Sequence, residues 1–265
     1  MAEPDVVLLQ FPYSHYNEKA RWALDYKGIR HRRVDYLPGP HMPQIKRLTG
    51  QTQTPVLRLD GNVIHGSARI IDEIERRCPE PALYPEDPPL RSRALEIARH
   101  FDDEVGPMVR RALFSVLLDE PDYLCWMFSS KRSLPVRFLY RASFPLARGM
   151  MGKSMGITDR ASIEEAFEAT RRGLAFVAEN VRPSGYLVGD RFTVADLTAA
   201  ALLAPLVHLS HPDMARPTPM PAAVEEFLAQ WAAHPSVGWV KEQYRRHRRT
   251  HAPANSGQLK AGDGL

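Results

Sequence analysis

Five prolines (Pro79, Pro81, Pro85, Pro88 and Pro89) crowd into the stretch from Cys78 to Pro89. Proline fixes φ and donates no backbone hydrogen bond, so this stretch is neither helix interior nor central strand. It separates two parts with different hydrophobic patterns. Before it, short apolar runs alternate with short helical ones. After it, strand patterns disappear and apolar residues recur at helical spacing. The chain therefore reads as an α/β domain over residues 1–78, a proline-rich linker over 79–89 and an all-α domain over 90–249. The Gly-, Ala- and polar-rich tail 250–265 is expected to be disordered. A length of 265 residues fits two domains, at about 100–200 residues each.

In the first part, Val6–Phe11 is a short apolar run and reads as a buried strand. Asn17–Lys27 sets Ala20, Ala23 and Leu24 on one face of a helix that Gly28 stops. His31–Tyr36 is a second strand, Pro38-Gly39-Pro40 a loop and Met42–Leu48 a short helix. Asp60-Gly61, between Pro55–Leu59 and Asn62–His65, is a hairpin signal. Ser67 is expected to cap a helix with Ile70, Ile71 and Ile74 inward. The order is β-α-β-α-β-β-α. In the second part, Leu95, Ala98, Phe101, Val105, Met108, Val109 and Ala112 follow helical spacing, with a kink expected at Pro107. A long stripe runs from Ile163 to Val181. Val194–Leu209 is apolar nearly all round, the pattern of a central buried helix. Val224–Ala233 and Ser236–Arg246 are the last helices.

Cys78 and Cys125 are the only cysteines and lie far apart, which excludes a disulfide framework and a CxxC metal knuckle and fits a reducing compartment. Neither is given a redox role. The histidines lack metal-ligand spacing, so no metal is expected. With no secretory leader pattern after Met1 and no apolar stretch near 18 residues, a cytoplasmic protein is expected. The net charge of +4 is uneven. Tyr123–Thr158 has no Asp or Glu but contains Lys131, Arg132, Arg137, Arg141, Arg148 and Lys153. Arg245, Arg246, Arg248 and Arg249 add a second basic run, read as a solvated helix end. Charge this local makes no case for nucleic acid.

Three short motifs carry candidate chemistry. Phe11-Pro12-Tyr13-Ser14-His15-Tyr16-Asn17 joins the first strand to the first helix, where free amides and a positive dipole end meet. A hydroxyl there can donate to a thiolate. A free thiol has a pKa of about 8.5, so stabilising its anion raises nucleophile concentration at neutral pH. On local sequence alone, a plain N-terminal cap is the favoured reading of Ser14. Thr54-Pro55 opens the third strand; a cis bond there exposes the Thr54 amide and carbonyl to an extended peptide, although an ordinary strand-edge proline reads the same way. At His65-Gly66-Ser67-Ala68, Ser67 and the following amides can hold a carboxylate or simply cap the helix.

Together these motifs resemble the cytosolic glutathione transferases, over most of the chain. Ser14–Ile29 is similar to the catalytic turn and first helix, with Ser14 where the zeta and theta-like classes carry serine. Gln53-Thr54-Pro55-Val56-Leu57 resembles the cis-proline strand. Ile64-His65-Gly66-Ser67 resembles the element that holds the γ-glutamyl group, with Gly66 in place of Gln or Glu. Gly185–Leu197 resembles the buried helix signature, in which Thr193 and Asp196 form a capping box and Phe192 and Leu197 a hydrophobic staple; these are folding residues.

The resemblance implies a thioredoxin-like N-terminal domain and an all-α C-terminal domain. It implies glutathione as co-substrate, held by Gln53, Thr54, Pro55, Gly66 and Ser67, with its thiolate at Ser14. It also implies a small apolar electrophile between the domains and a homodimer. His15, Tyr16 and Asn17 are supporting candidates, and His15 and Asn17 depart from the class motifs. A non-catalytic binding or scaffolding protein and a glutathione-dependent isomerase are the alternatives; a serine at position 14 disfavours disulfide chemistry.

The stretch Asp119–Arg160 is longer than the family's usual connection. Its basic part adds Tyr123, Trp126, Phe128, Phe138, Tyr140, Phe144 and four methionines to the six cations. Three readings are open: a lid and wall for the electrophile, an element on a membrane surface, or a helical excursion packed on the core. The last is favoured, because apolar stripes usually mean core.

Overall fold

The computed structural model describes residues 6–249, so the tail expected from residue 250 lies outside the described residues. Strands β1 (Val6–Gln10), β2 (Arg32–Asp35), β3 (Val56–Leu59) and β4 (Asn62–His65) form one sheet, in the order β2-β1-β3-β4. β1 runs parallel to β2, across α1 (His15–Tyr26), and β3 is antiparallel to both β1 and β4. Every residue of β1 is buried, because the sheet is covered on both faces; hence its continuous apolar run. Val6 and Leu8 share a core with α1 and α3 (Ser67–Arg77), while Val7 and Leu9 meet Ile45 of α2 (Met42–Thr49). The hairpin turns at Asp60 and Gly61, at φ 49° and 81°, as a type I′ turn requires.

Ser67 does not cap α3. It is the first residue of the helix, and Gly66 holds the N-cap position at φ 88° and ψ 133°. That backbone region is costly for any residue with a Cβ, which accounts for glycine here.

Helix α4 (Pro88–His100) takes in Pro88 and Pro89, the last two residues of the expected linker, in its first turn, where proline is tolerated, and is capped by the Asp87 carboxylate on the Leu90 amide at 2.9 Å. In place of the kink expected at Pro107, the helical run changes pitch just before it. A π-helical turn, Phe101–Val105, separates α4 from α5 (Gly106–Leu117), and Pro107 sits in the first turn of α5. Proline has no N–H for the preceding turn, and the wide turn accommodates that loss before it is met. Helices α6 (Pro121–Ser129) and α7 (Leu134–Ser154) pack together as a hairpin. After α8 (Arg160–Asn180), α9 (Val194–Leu203) is buried at every residue and packs on α1 and α4. It ends short of the expected Leu209 because Pro205 forces a 3-10 turn. Helices α10 (Ala222–Ala229) and α11 (Pro235–His247) complete the domain. No helix among the described residues is long and apolar enough to cross a membrane.

The capping box at α9 forms as read. Asp196 accepts from the Leu187 amide at 2.7 Å, and from the Thr193 amide and hydroxyl at 2.9 Å each. The basic run Arg245–Arg249 needs a correction. Arg245 and Arg246 do pair with Glu242 on the surface, but Arg248 is buried. Its guanidinium meets Glu18 at 2.7 Å, Asp25 at 2.6 Å and Asp213, clasping the end of the helical domain to α1. The three acids supply the counter-charge that makes burial tolerable. Burial opposes ionisation of Glu18 and Asp213, but Arg248 and Arg21 hold both carboxyls below the usual range. His211 joins Glu18 and Asp213 in one cluster, and the guanidinium groups of Arg248 and Arg21 already occupy its acidic side.

Candidate active site

Leu9 of β1 pairs with Val56 of β3, and Val56 pairs with His65 of β4. This one row brings the β1–α1 turn, the start of β3 and the β4–α3 junction to the same end of the sheet. All three sequence motifs therefore converge.

Ser14 stands at the N-cap position of α1 in extended conformation, φ −81° and ψ 126°, yet its hydroxyl makes no capping bond. Its carbonyl accepts from the Glu18 amide at 2.8 Å. The half-buried hydroxyl is thus available at the positive end of α1. Capping alone does not account for a serine here.

Of the three supporting candidates, each does something different. Asn17 is buried and donates from Nδ2 to Thr54 Oγ1 at 3.1 Å, tying the turn to the proline step; its Oδ1 has no partner. The Tyr16 hydroxyl donates to the Asp102 carbonyl at 2.6 Å, which commits it to the domain contact. His15 is buried with Nε2 unpartnered, and burial, followed by the nearby Arg110 charge, pushes its pKa down to about 3. It is neutral at physiological pH.

Two residues near this turn were not singled out by the sequence. Tyr13 adopts φ 59°, rare for a side chain of its size. Burial, and then Asp35, push its phenol pKa up, so it is a second protonated O–H beside Ser14 in the chain. A tyrosine immediately before the serine of a strand-to-helix turn was the available signal. Arg110 of α5 sits with its guanidinium 5.9 Å from the Tyr16 ring centre, and its Nε is buried without a partner. No sequence pattern marks it, because only the domain packing brings α5 to α1.

The Thr54-Pro55 bond is cis. Gly66 donates its amide to the Pro55 carbonyl at 3.0 Å, locking the β4–α3 junction to the strand. Ser67 is buried in the first turn of α3, while Gly66 is exposed. Gln53 is exposed, with its carbonyl accepting from Gln51 Nε2 at 3.0 Å.

The α6–α7 hairpin closes over this end of the N-terminal domain. Phe128 meets Phe11 edge-on with ring centres 6.4 Å apart. The Tyr140 hydroxyl donates to the Pro38 carbonyl at 3.2 Å, and Arg132 donates to the Asp35 carbonyl. Tyr123, Leu124, Cys125, Met127 and Phe144 are buried in the core. The segment is thus core packing on its inner side and a wall beside the Ser14 turn. Burial pushes the Cys125 thiol up to about 11, which leaves it little thiolate.

Residues 8–82 match the family model of the glutathione S-transferase N-terminal domain, and residues 136–217 match that of the C-terminal domain. The chain belongs to the cytosolic glutathione transferase superfamily. A probable glutathione S-transferase of Nicotiana tabacum is 29% identical over 109 residues, 40% of this chain and 48% of that protein, so the chain spans about half of that relative's length. Among solved structures, a glutathione S-transferase from Methylobacillus flagellatus KT with glutathione bound superposes with a TM-score of 0.61 at 18% identity, covering 91% of this chain and 95% of that one. The β-etherase LigF from Sphingobium sp. strain SYK-6 gives 0.60 at 18% identity, with 90% and 99% covered. At such identities the likeness is one of fold, and it is the glutathione transferase fold that sets the three motifs at one end of the sheet.

Proposed function

We propose that the protein is a glutathione transferase that joins the glutathione thiolate to a small apolar electrophile. The observation that carries this reading is the Ser14 hydroxyl, half-buried at the N-terminus of α1 and unused by the cap it occupies. In this reading the extended tripeptide runs along Thr54-Pro55. Its γ-glutamyl carboxylate meets Ser67 and the first-turn amides of α3, and Gly66 contributes backbone only. The electrophile lies against the wall that includes Phe11, Phe128 and Tyr140. The thiol proton goes to solvent, sulfur forms a bond to the electrophilic carbon, and the leaving group departs with its electron pair. The protein supplies proximity and thiolate stabilisation. The working form in this reading is a cytoplasmic homodimer, each N-terminal domain facing the partner's helical domain; a monomer at micromolar concentration in sedimentation would contradict that part.

One observation favours a second reading, glutathione binding without turnover: Gly66 offers no side chain to the γ-glutamyl group. Calorimetric titration with glutathione, paired with a chlorodinitrobenzene conjugation assay, separates the two. Binding with turnover supports the transferase, binding alone supports the second reading, and no binding overturns both.

A further inference from the structure

Helix α7 has an apolar face that none of the described residues covers. Its inner side is spent on the core, with Phe144 and Gly152 buried. Phe138, Leu139, Ala142, Leu146 and Met150 recur at helical spacing on the other side. Phe138 is 78% exposed, Leu139 69%, Leu146 84% and Met150 68%. Six of the nine exposed large hydrophobic side chains among the described residues belong to this helix, so the stripe is a feature and not surface scatter. It extends about 18 Å along the helix at about 1.5 Å per residue. Exposure this high describes a ridge, which has no walls to seat a peptide.

Charge selects the occupant. No acid lies between Tyr123 and Thr158. Arg141 and Arg148 are held by Asp122 and Asp119 of the neighbouring helix and loop. Lys131, just before α7, and Lys153, near its end, bracket the ridge and are exposed. A second copy laid along the ridge would bring these like charges together. An anionic surface complements them. Apolar ridge and cationic brackets together make the pattern of a helix that lies in a membrane interface, and the cations along α7 keep it from being a spanning one.

We propose that α7 docks the protein on an anionic lipid bilayer. Phe138, Leu139, Leu146 and Met150 enter the boundary between headgroups and acyl chains, and Lys131 and Lys153 meet the lipid phosphates. The same hairpin walls the Ser14 turn through Phe128. Docking therefore holds the candidate electrophile site beside the phase in which apolar molecules concentrate.

Co-sedimentation of the full chain with vesicles tests this. Vesicles of equal parts phosphatidylcholine and phosphatidylglycerol are compared with phosphatidylcholine alone. The protein is expected to sediment with the anionic vesicles, and less so at high salt. Phe138→Ser with Leu146→Ser should abolish sedimentation without changing the melting temperature. Lys131→Ala with Lys153→Ala should weaken anionic binding about thirty-fold, leaving the fold intact. Failure of the unaltered protein to sediment, or equal binding to both vesicles, overturns the proposal. So does a dimer in sedimentation velocity that the Phe138→Ser, Leu146→Ser variant splits, which would assign the ridge to a second copy.

Discussion

Replacing Asp196 by alanine removes one side chain that satisfies three donors. Its two oxygens accept from the Leu187 amide at 2.7 Å, the Thr193 amide at 2.9 Å and the Thr193 hydroxyl at 2.9 Å. Asp196 is fully buried, so no water replaces these bonds. The Thr193 hydroxyl can rotate to another acceptor, but the two amides cannot move without unwinding the segment before α9. Each orphaned buried donor costs about 1–3 kcal/mol. Alanine also spares the cost of burying a carboxyl, a cost visible in burial pushing the Asp196 pKa up to about 6 despite these bonds. The net loss is then about 2–4 kcal/mol. At about 2–4 °C per kcal/mol for a chain of this size, the melting temperature should fall by roughly 4–16 °C. Asp196→Asn keeps one acceptor oxygen and should fall between alanine and wild type. Differential scanning calorimetry reads both. An alanine variant within a degree of wild type would refute the claim that this carboxylate anchors α9.

Gly66→Gln should lower stability by about 1–3 kcal/mol through its φ of 88°, because no atom within 4 Å would meet the new Cβ. The same variant should bind glutathione more tightly in calorimetry, since its side chain enters open space where the proposed binding mode puts the γ-glutamyl group. Arg248→Met removes the cation that Glu18 and Asp25 share and leaves them to Arg21 and Arg33, and should cost about 3 kcal/mol in urea denaturation, the low end for breaking a buried pair. Glu18 and Asp213 are held below their unfolded values of about 4. Their stabilisation is therefore present above about pH 4 and lost as pH falls further. Melting temperature should drop below that pH, and less steeply in Arg248→Met.

Much of this fold was legible in local pattern. The hairpin at Asp60-Gly61, the apolar β1 and the α9 capping box each declare themselves within a few residues. What sequence could not supply is partnership across distance. Arg248 looks like any other member of a basic run until the chain folds and sets it against Glu18, Asp25 and Asp213. At the cap of α3, residue type favours the serine over the glycine beside it, whereas the positive φ that decides the matter belongs to the backbone. The π turn before Pro107 packs against α9 and α8, and proline alone marks only that something must yield. At the site, the turn itself was readable. The positive φ of Tyr13 leaves no mark in its residue type, and Arg110 lies far along the chain from the turn it meets.

The central claim is that Ser14 stabilises a glutathione thiolate. The most direct measurement is an ultraviolet thiolate titration of the glutathione complex, wild type against Ser14→Ala. A hydrogen bond to a charged group is worth about 1.5–3 kcal/mol, so its loss should raise the thiol pKa by about one to two units and leave glutathione affinity largely intact. Conjugation near neutral pH should fall by about ten- to hundredfold, and part of the loss should return at higher pH. If the two complexes titrate at the same pH, Ser14 is not the thiolate's partner and the account of the site is wrong.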